Sequence, residues 1–132
     1  MKNKKLINSF KYAFSGIKTC IYKERNIKIH ISIMFLVIIF GMVLDINIYE
    51  WLVCLVLFGA VISAEMINTA IETVVDMITL KNNPLAKQAK DISAGAVLVL
   101  AIFSFVIGLI IFLPKIIKIL EVLWKKKILI NY

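Results

Sequence analysis

The chain has 132 residues, 61% of them hydrophobic, with a mean hydropathy of +0.93. Soluble domains carry about 45–50% apolar residues, so this composition excludes an ordinary water-soluble globule. Sixteen Lys and Arg against eight Asp and Glu give a net charge of +8, but the basic residues follow a topological pattern along the chain. That pattern argues against nucleic-acid binding and for orientation in, and attraction to, an anionic membrane.

At this length one domain is expected, 1–132. In the first segment Leu6, Ile7, Phe10, Phe14, Ile17 and Ile21 recur every three or four residues, while Lys4, Lys5, Lys11 and Lys18 fall mostly on other faces. This predicts an amphipathic helix over 1–26 lying in the membrane interface. Gly16 sits in its middle, either marking a close approach by a neighbour or ligand or simply tolerated.

Apolar runs at 27–48, 51–78 and 92–113 each reach the roughly 20 residues that a membrane-crossing helix needs. The first is too long, and too far from the N-terminus, to read as a cleavable signal peptide. Residues 1–28 hold eight Lys and Arg against the single acid Glu24, and the link around Asp45–Glu50 has no basic residue. The link 79–91 carries Lys81, Lys87 and Lys90. Basic residues favour the cytoplasmic side, which puts the N-terminus and the second link inside. Tyr49 and Trp51 suit the outer interface.

Asn82, Asn83 and Pro84 favour a turn, and Pro84–Lys90 can open a helix that continues into the third span. Beyond Leu113 the basic extension 114–132 runs against the positive-inside count, since three spans that start inside finish outside. The basic N-terminal region sets the orientation. Ile116–Trp124 is then expected as an interfacial helix on the outer face, with a short re-entry as the alternative. Cys20 and Cys54 show no pairing or metal spacing and read as packing residues. His30 has no visible metal partner and reads as a packed or interfacial histidine.

Within the second run, 64-AEMINTAIETVVD-76 carries Glu65, Asn68, Glu72 and Asp76. At 100° per residue these positions fall within about 60° of one another, one polar stripe on a helix. A charge at membrane depth costs at least ~2.5 kcal/mol, so such a stripe faces protein or water and points to function. Its cytoplasmic end, Glu72 and Asp76 with Lys90 and Asp91 nearby, suits Mg²⁺ and a nucleotide phosphate. Glu65, about 10 Å deeper, suits a base that takes a proton from a lipid hydroxyl. The residues alone leave other readings open. Asp76 fits a span end, Glu65 with Asn68 a polar helix contact, the carboxylates a proton or ion pathway, and Lys90–Asp91 a membrane-border pair.

The run 65-EMINTAIETVVD-76 followed by 89-AKDISAGAVL-98 resembles the small prokaryotic diacylglycerol kinase family, which includes undecaprenol kinases. 12-YAFSGI-17 and 24-ERNIKIH-30 precede these motifs in the same order, and the resemblance covers roughly residues 5–113. It implies an all-α integral membrane fold, an N-terminal surface helix plus three transmembrane helices, assembled as a homotrimeric bundle. It implies transfer of the γ-phosphoryl of Mg·ATP to a membrane lipid hydroxyl, with the N-terminus and active site on the cytoplasmic side. Glu65 would be the general base and Asn68 would help order the site. Glu24 and Glu72 would hold the metal. Lys90 and Asp91 would bind nucleotide, with Tyr12 and the Lys81, Asn82, Asn83 turn as further candidates, and Asp76 would give structural support. The lipid would lie against Gly16, Glu65 and the surface helix.

There is no P-loop or protein-kinase motif, so metals and scattered polar groups would hold the phosphates. Phosphoryl transfer needs mainly positioning and charge neutralisation, which such a site can supply. The wording of 24-ERNIKIH-30 and 84-PLAKQAKDISAGAV-97 is closer to the undecaprenol kinase branch. Undecaprenol is therefore the expected acceptor, with diacylglycerol as the alternative. A non-enzymatic proton-conducting or helix-packing oligomer is the reading from another class.

Overall fold

The structure, a computed structural model, describes residues 2–130, with side-chain surroundings over residues 5–128. Met1, Asn131 and Tyr132, at the ends of the expected surface helix and C-terminal extension, lie outside the described residues. Four helices follow in chain order: α1 Lys2–Lys23, α2 Arg25–Val43, α3 Ile48–Ile78 and α4 Pro84–Ile130. Among the described residues α2, α3 and α4 are long and apolar enough to cross a membrane.

α1 touches the bundle through its C-terminal end. Cys20 is buried, while Leu6, Ile7, Phe10 and Phe14 are exposed, an unpaired apolar stripe suited to the acyl boundary. α1 stops at Lys23, short of residue 26. Glu24 has an extended backbone, φ −99° and ψ 127°, and leads directly into α2 at Arg25. Ile27, fully buried, sets the rotation of α2 against its neighbours.

The α2–α3 turn is more compact than the expected span boundaries allow. α2 ends at Val43 rather than 48, because Asp45 takes a left-handed conformation, φ 49°, which Asp tolerates better than most residues. α3 begins at Ile48 rather than Trp51 because Asn47 and Glu50 form a capping box. Asn47 Oδ1 accepts from the Tyr49 and Glu50 amides at 2.9 and 3.0 Å, and Glu50 Oε2 accepts from the Asn47 amide at 2.7 Å. That satisfies amides a helix start otherwise leaves open. Glu50 Oε2 also pairs with Lys115 Nζ at 3.1 Å, tying α3 to α4. Ile46, Cys54 and Ile111 form a buried apolar cluster here, with Trp51 and Phe58 packed on it. Gly41 lies under the Trp51 ring, where a Cβ would come within 2.7 Å.

α4 packs chiefly along α3. Asn83 caps it, accepting from the Leu85 amide at 2.9 Å, and Pro84 fills its first position, where a missing N–H costs nothing. The second link therefore narrows from 79–91 to 79–83, with 84–91 already helical. At its other end α4 runs unbroken through Pro114 to Ile130. The expected separate interfacial helix over Ile116–Trp124 is instead a continuation of α4. Helix formers follow Pro114, no glycine or turn residue interrupts them, and Lys115 is anchored to Glu50. The 47 residues of α4 span about 70 Å at 1.5 Å per residue.

The accessible surface is 10779 Å², against ~7,000 Å² for a compact soluble monomer of this mass. Most large apolar side chains point outward. Its interior is thin, and its apolar surface suits a lipid surrounding.

Candidate active site

The polar stripe on α3 descends from open to buried. Asp76 is exposed, Glu72 half-buried, and Asn68 and Glu65 are buried, Glu65 at 3% exposure. Buried polar groups need partners, and here they come from three other helices. Asn68 Nδ2 donates to Glu72 Oε1 at 2.9 Å. The buried Ser93 hydroxyl, from α4, lies 2.6 Å from Asn68 Oδ1 and 2.9 Å from the Lys90 carbonyl. Thr69 Oγ1 donates to the Glu65 carbonyl at 2.9 Å and accepts from Cys20 Sγ of α1 at 3.3 Å. His30 of α2 brings Nε2 to 3.2 Å from Glu65 Oε1.

At the open end Lys90 Nζ pairs with Asp76 Oδ1 at 2.6 Å. Lys90 is thus held by the end of the stripe rather than by its neighbour Asp91, which is exposed. Glu24 sits half-buried in the α1–α2 break, with its side chain uncommitted as a cap. It follows Cys20 by four residues and Glu72 follows Thr69 by three, so both carboxylates lie about one turn from the Cys20–Thr69 contact. Among the described residues no three His, Cys, Asp or Glu side chains gather as a ready-made metal site. Two half-buried carboxylates fit Mg²⁺, which takes one or two carboxylates and completes its shell with phosphate and water.

Other candidates stay at the periphery. Tyr12 and Gly16 lie on the exposed side of α1, and nothing comes within 4 Å of a Cβ at Gly16. Lys81 and Asn82 are exposed, and the Asn83 side chain caps α4.

Sequence reasoning missed His30, Ser93, Thr69 and Cys20 as members of this layer. His30 did carry a signal, as an ionisable side chain inside an apolar run. Ser93 and Thr69 carried none, because small hydroxyl residues are ordinary in membrane helices.

Two spaces meet at this layer. A pocket of about 240 Å³ sets Asn26, His30, Glu65 and Asn68 against an apolar wall that includes Ala94 and Val97. An almost wholly apolar cavity of about 320 Å³ extends from His30 toward the α2–α3 turn, between Val37, Cys54, Phe58, Val61 and Ile111. His30 and Ala101 line both. Ser104, in the apolar wall, has a buried hydroxyl with no partner among the described residues.

The fold and site define an all-helical integral membrane protein with a buried carboxylate layer open to the end where α1 joins the bundle. Residues 11–112 match the family model described as prokaryotic diacylglycerol kinase. The chain is 46% identical to the undecaprenol kinase of Bacillus subtilis over 111 residues, 84% of this chain and 90% of that protein. It is 34% identical to a diacylglycerol kinase of Synechocystis sp. over 87% of this chain and 66% of that protein. With a diacylglycerol kinase of Helicobacter pylori strain 26695 it shares 32% identity, over 76% of this chain and 78% of that protein. The chain belongs to the prokaryotic diacylglycerol kinase family, and it is a membrane lipid kinase that uses ATP as co-substrate.

Proposed function

We propose that the chain phosphorylates undecaprenol, as a homotrimer whose active sites open on the cytoplasmic face. The observation that carries this reading is buried Glu65, which lines a small pocket with Asn68 and His30, His30 in turn lining an almost wholly apolar cavity as well. A lipid alcohol has the same two parts, a hydroxyl for the pocket and hydrocarbon for the cavity. Glu65 takes the hydroxyl proton, the lipid oxygen bonds to the γ-phosphorus, and the bond from that phosphorus to ADP breaks with its electron pair on ADP. Asn68, fixed by Ser93, holds Glu72 in place. Glu24 and Glu72 hold Mg²⁺, which neutralises phosphate charge when bound. Lys90, steadied by Asp76, faces the nucleotide with Asp91.

The undecaprenol preference is supported by the 46% identity to a protein of that name, against 34% and 32% to diacylglycerol kinases. The trimer is supported by the open flank of the polar stripe, where Glu72 and Asp76 need a neighbour's cover. The cytoplasmic orientation is supported by the eight basic residues in 1–28. In mixed micelles offering undecaprenol and diacylglycerol together with labelled ATP, undecaprenyl phosphate is the expected main product. An excess of phosphatidic acid overturns the acceptor. Crosslinking in mild detergent should give a three-chain species.

A further inference from the structure

Glu65 has one ionisable partner among the described residues, and it lies on another helix. His30 Nε2 stands 3.2 Å from Glu65 Oε1, with side-chain exposures of 21% and 4%. The other candidate cation of this region, Lys90, is committed to Asp76. The His30 ring is placed by the packing of α2. Ile27, three residues before it and on the same face, is fully buried and fixes the helix rotation. The ring therefore borders both the pocket that holds Glu65 and the apolar cavity. A carboxylate this deep is costly unless a partner compensates it. An unanchored one would also turn freely about its terminal bond.

We propose that His30 is a positioning residue for phosphoryl transfer, holding Glu65 by Oε1 and turning Oε2 toward the acceptor hydroxyl at the mouth of the apolar cavity. The proposal builds on the reading of Glu65 as the base. The acceptor's proton passes to Oε2 as its oxygen bonds to the γ-phosphorus and ADP departs. The imidazole keeps its own proton throughout and touches no reacting atom. Its contribution is to fix the base where the alcohol arrives.

The test compares His30→Leu, His30→Gln, Glu65→Gln and the double variant His30→Leu/Glu65→Gln as full chains in micelles with undecaprenol and Mg·ATP. Partners that orient metal ligands carry about 10- to 100-fold of activity, and by analogy a loss of about that size in kcat is expected for His30→Leu. The KM for Mg·ATP should stay within about twofold, since the proposed nucleotide site at Glu72 and Lys90 does not include His30. In His30→Gln an amide N–H replaces Nε2–H, and most of the lost kcat should return. Adding His30→Leu to Glu65→Gln should not lower the residual rate further, because His30 acts through Glu65. An inactive Glu65→Gln beside a fully active His30→Leu overturns the role of His30 and leaves the base in place. A fully active Glu65→Gln overturns the base and this proposal with it. If His30→Leu loses nucleotide binding and His30→Gln recovers nothing, His30 is a packing residue and the proposal fails.

Discussion

The two ends of the bundle are held by opposite chemistry. At the α2–α3 turn, Ile46, Cys54 and Ile111 exclude water, Trp51 lies across Gly41, and the capping box satisfies the start of α3. At the other end Glu65, Asn68, Thr69 and Ser93 are buried polar groups joined by hydrogen bonds from α1 and α4, with His30 of α2 beside Glu65. This layer opens along Glu72 and Asp76. The apolar end gains from closure, since each buried methylene contributes about 0.8 kcal/mol. The polar end gives up such gain to hold Glu65, Asn68 and Ser93 in a hydrogen-bonded layer, which suits the proposed site. One end joins the helices by apolar packing, and the other by hydrogen bonds around buried Glu65 and Asn68.

The sharpest way to separate the two ends is Glu65→Gln. It keeps size and burial while removing the proposed base, and general-base losses run to at least ~10²-fold in kcat. Steady-state assays should show that loss with oligomer size and nucleotide binding intact. Undiminished turnover would remove the functional end of the comparison. Glu72→Ala should act on the same end through binding, raising the KM for Mg·ATP with a smaller change in kcat. A normal nucleotide affinity would count against its metal role.

Gly41→Val tests the opposite end. The new side chain meets the Trp51 ring, and overpacking of this kind costs about 1–3 kcal/mol. Thermal unfolding in detergent should shift down, while the turnover of the folded fraction stays normal. Ser93→Ala should cost about 1 kcal/mol, by leaving buried Asn68 Oδ1 without its partner. Unlike Gly41→Val, it should also weaken nucleotide binding, because Asn68 holds Glu72. Lys115→Ala should have the smallest effect. Its pairing with Glu50 lies far from the stripe and is half-exposed, and ion pairs open to solvent contribute little and are weakened by salt. A slight loss of thermal stability at low ionic strength, absent at high salt, with unchanged activity, is expected. A clear loss of activity would mean that the two ends are coupled.

Much of this arrangement was legible in the sequence. Apolar runs longer than a bilayer needs can only be membrane helices, because unsatisfied backbone groups are too costly in lipid. The 3, 4, 4 spacing of Glu65, Asn68, Glu72 and Asp76 fixes one face by helix geometry alone. The family motifs run through the same residues. Where α2 stops and α3 starts was less legible. Those limits depend on Asp45 accepting a left-handed backbone and on Asn47 finding Glu50, choices decided by local hydrogen bonds rather than hydropathy. The continuity of α4 through Pro114 was hidden for a similar reason. A helix survives a proline when neighbouring contacts hold both sides, and here Lys115 reaches a carboxylate on α3.

The sequence by itself determined the membrane class and the polar stripe, because these follow from composition and from a period of 3.6 residues. Only the tertiary structure decided which residues meet the stripe. Cys20, His30 and Ser93 come from three helices, and their pairing with Thr69, Glu65 and Asn68 depends on how each helix is rotated against α3. That rotation is set by packing across helices, at Ile27 above all. No local pattern along the chain records which side chain will stand 3.2 Å from Glu65.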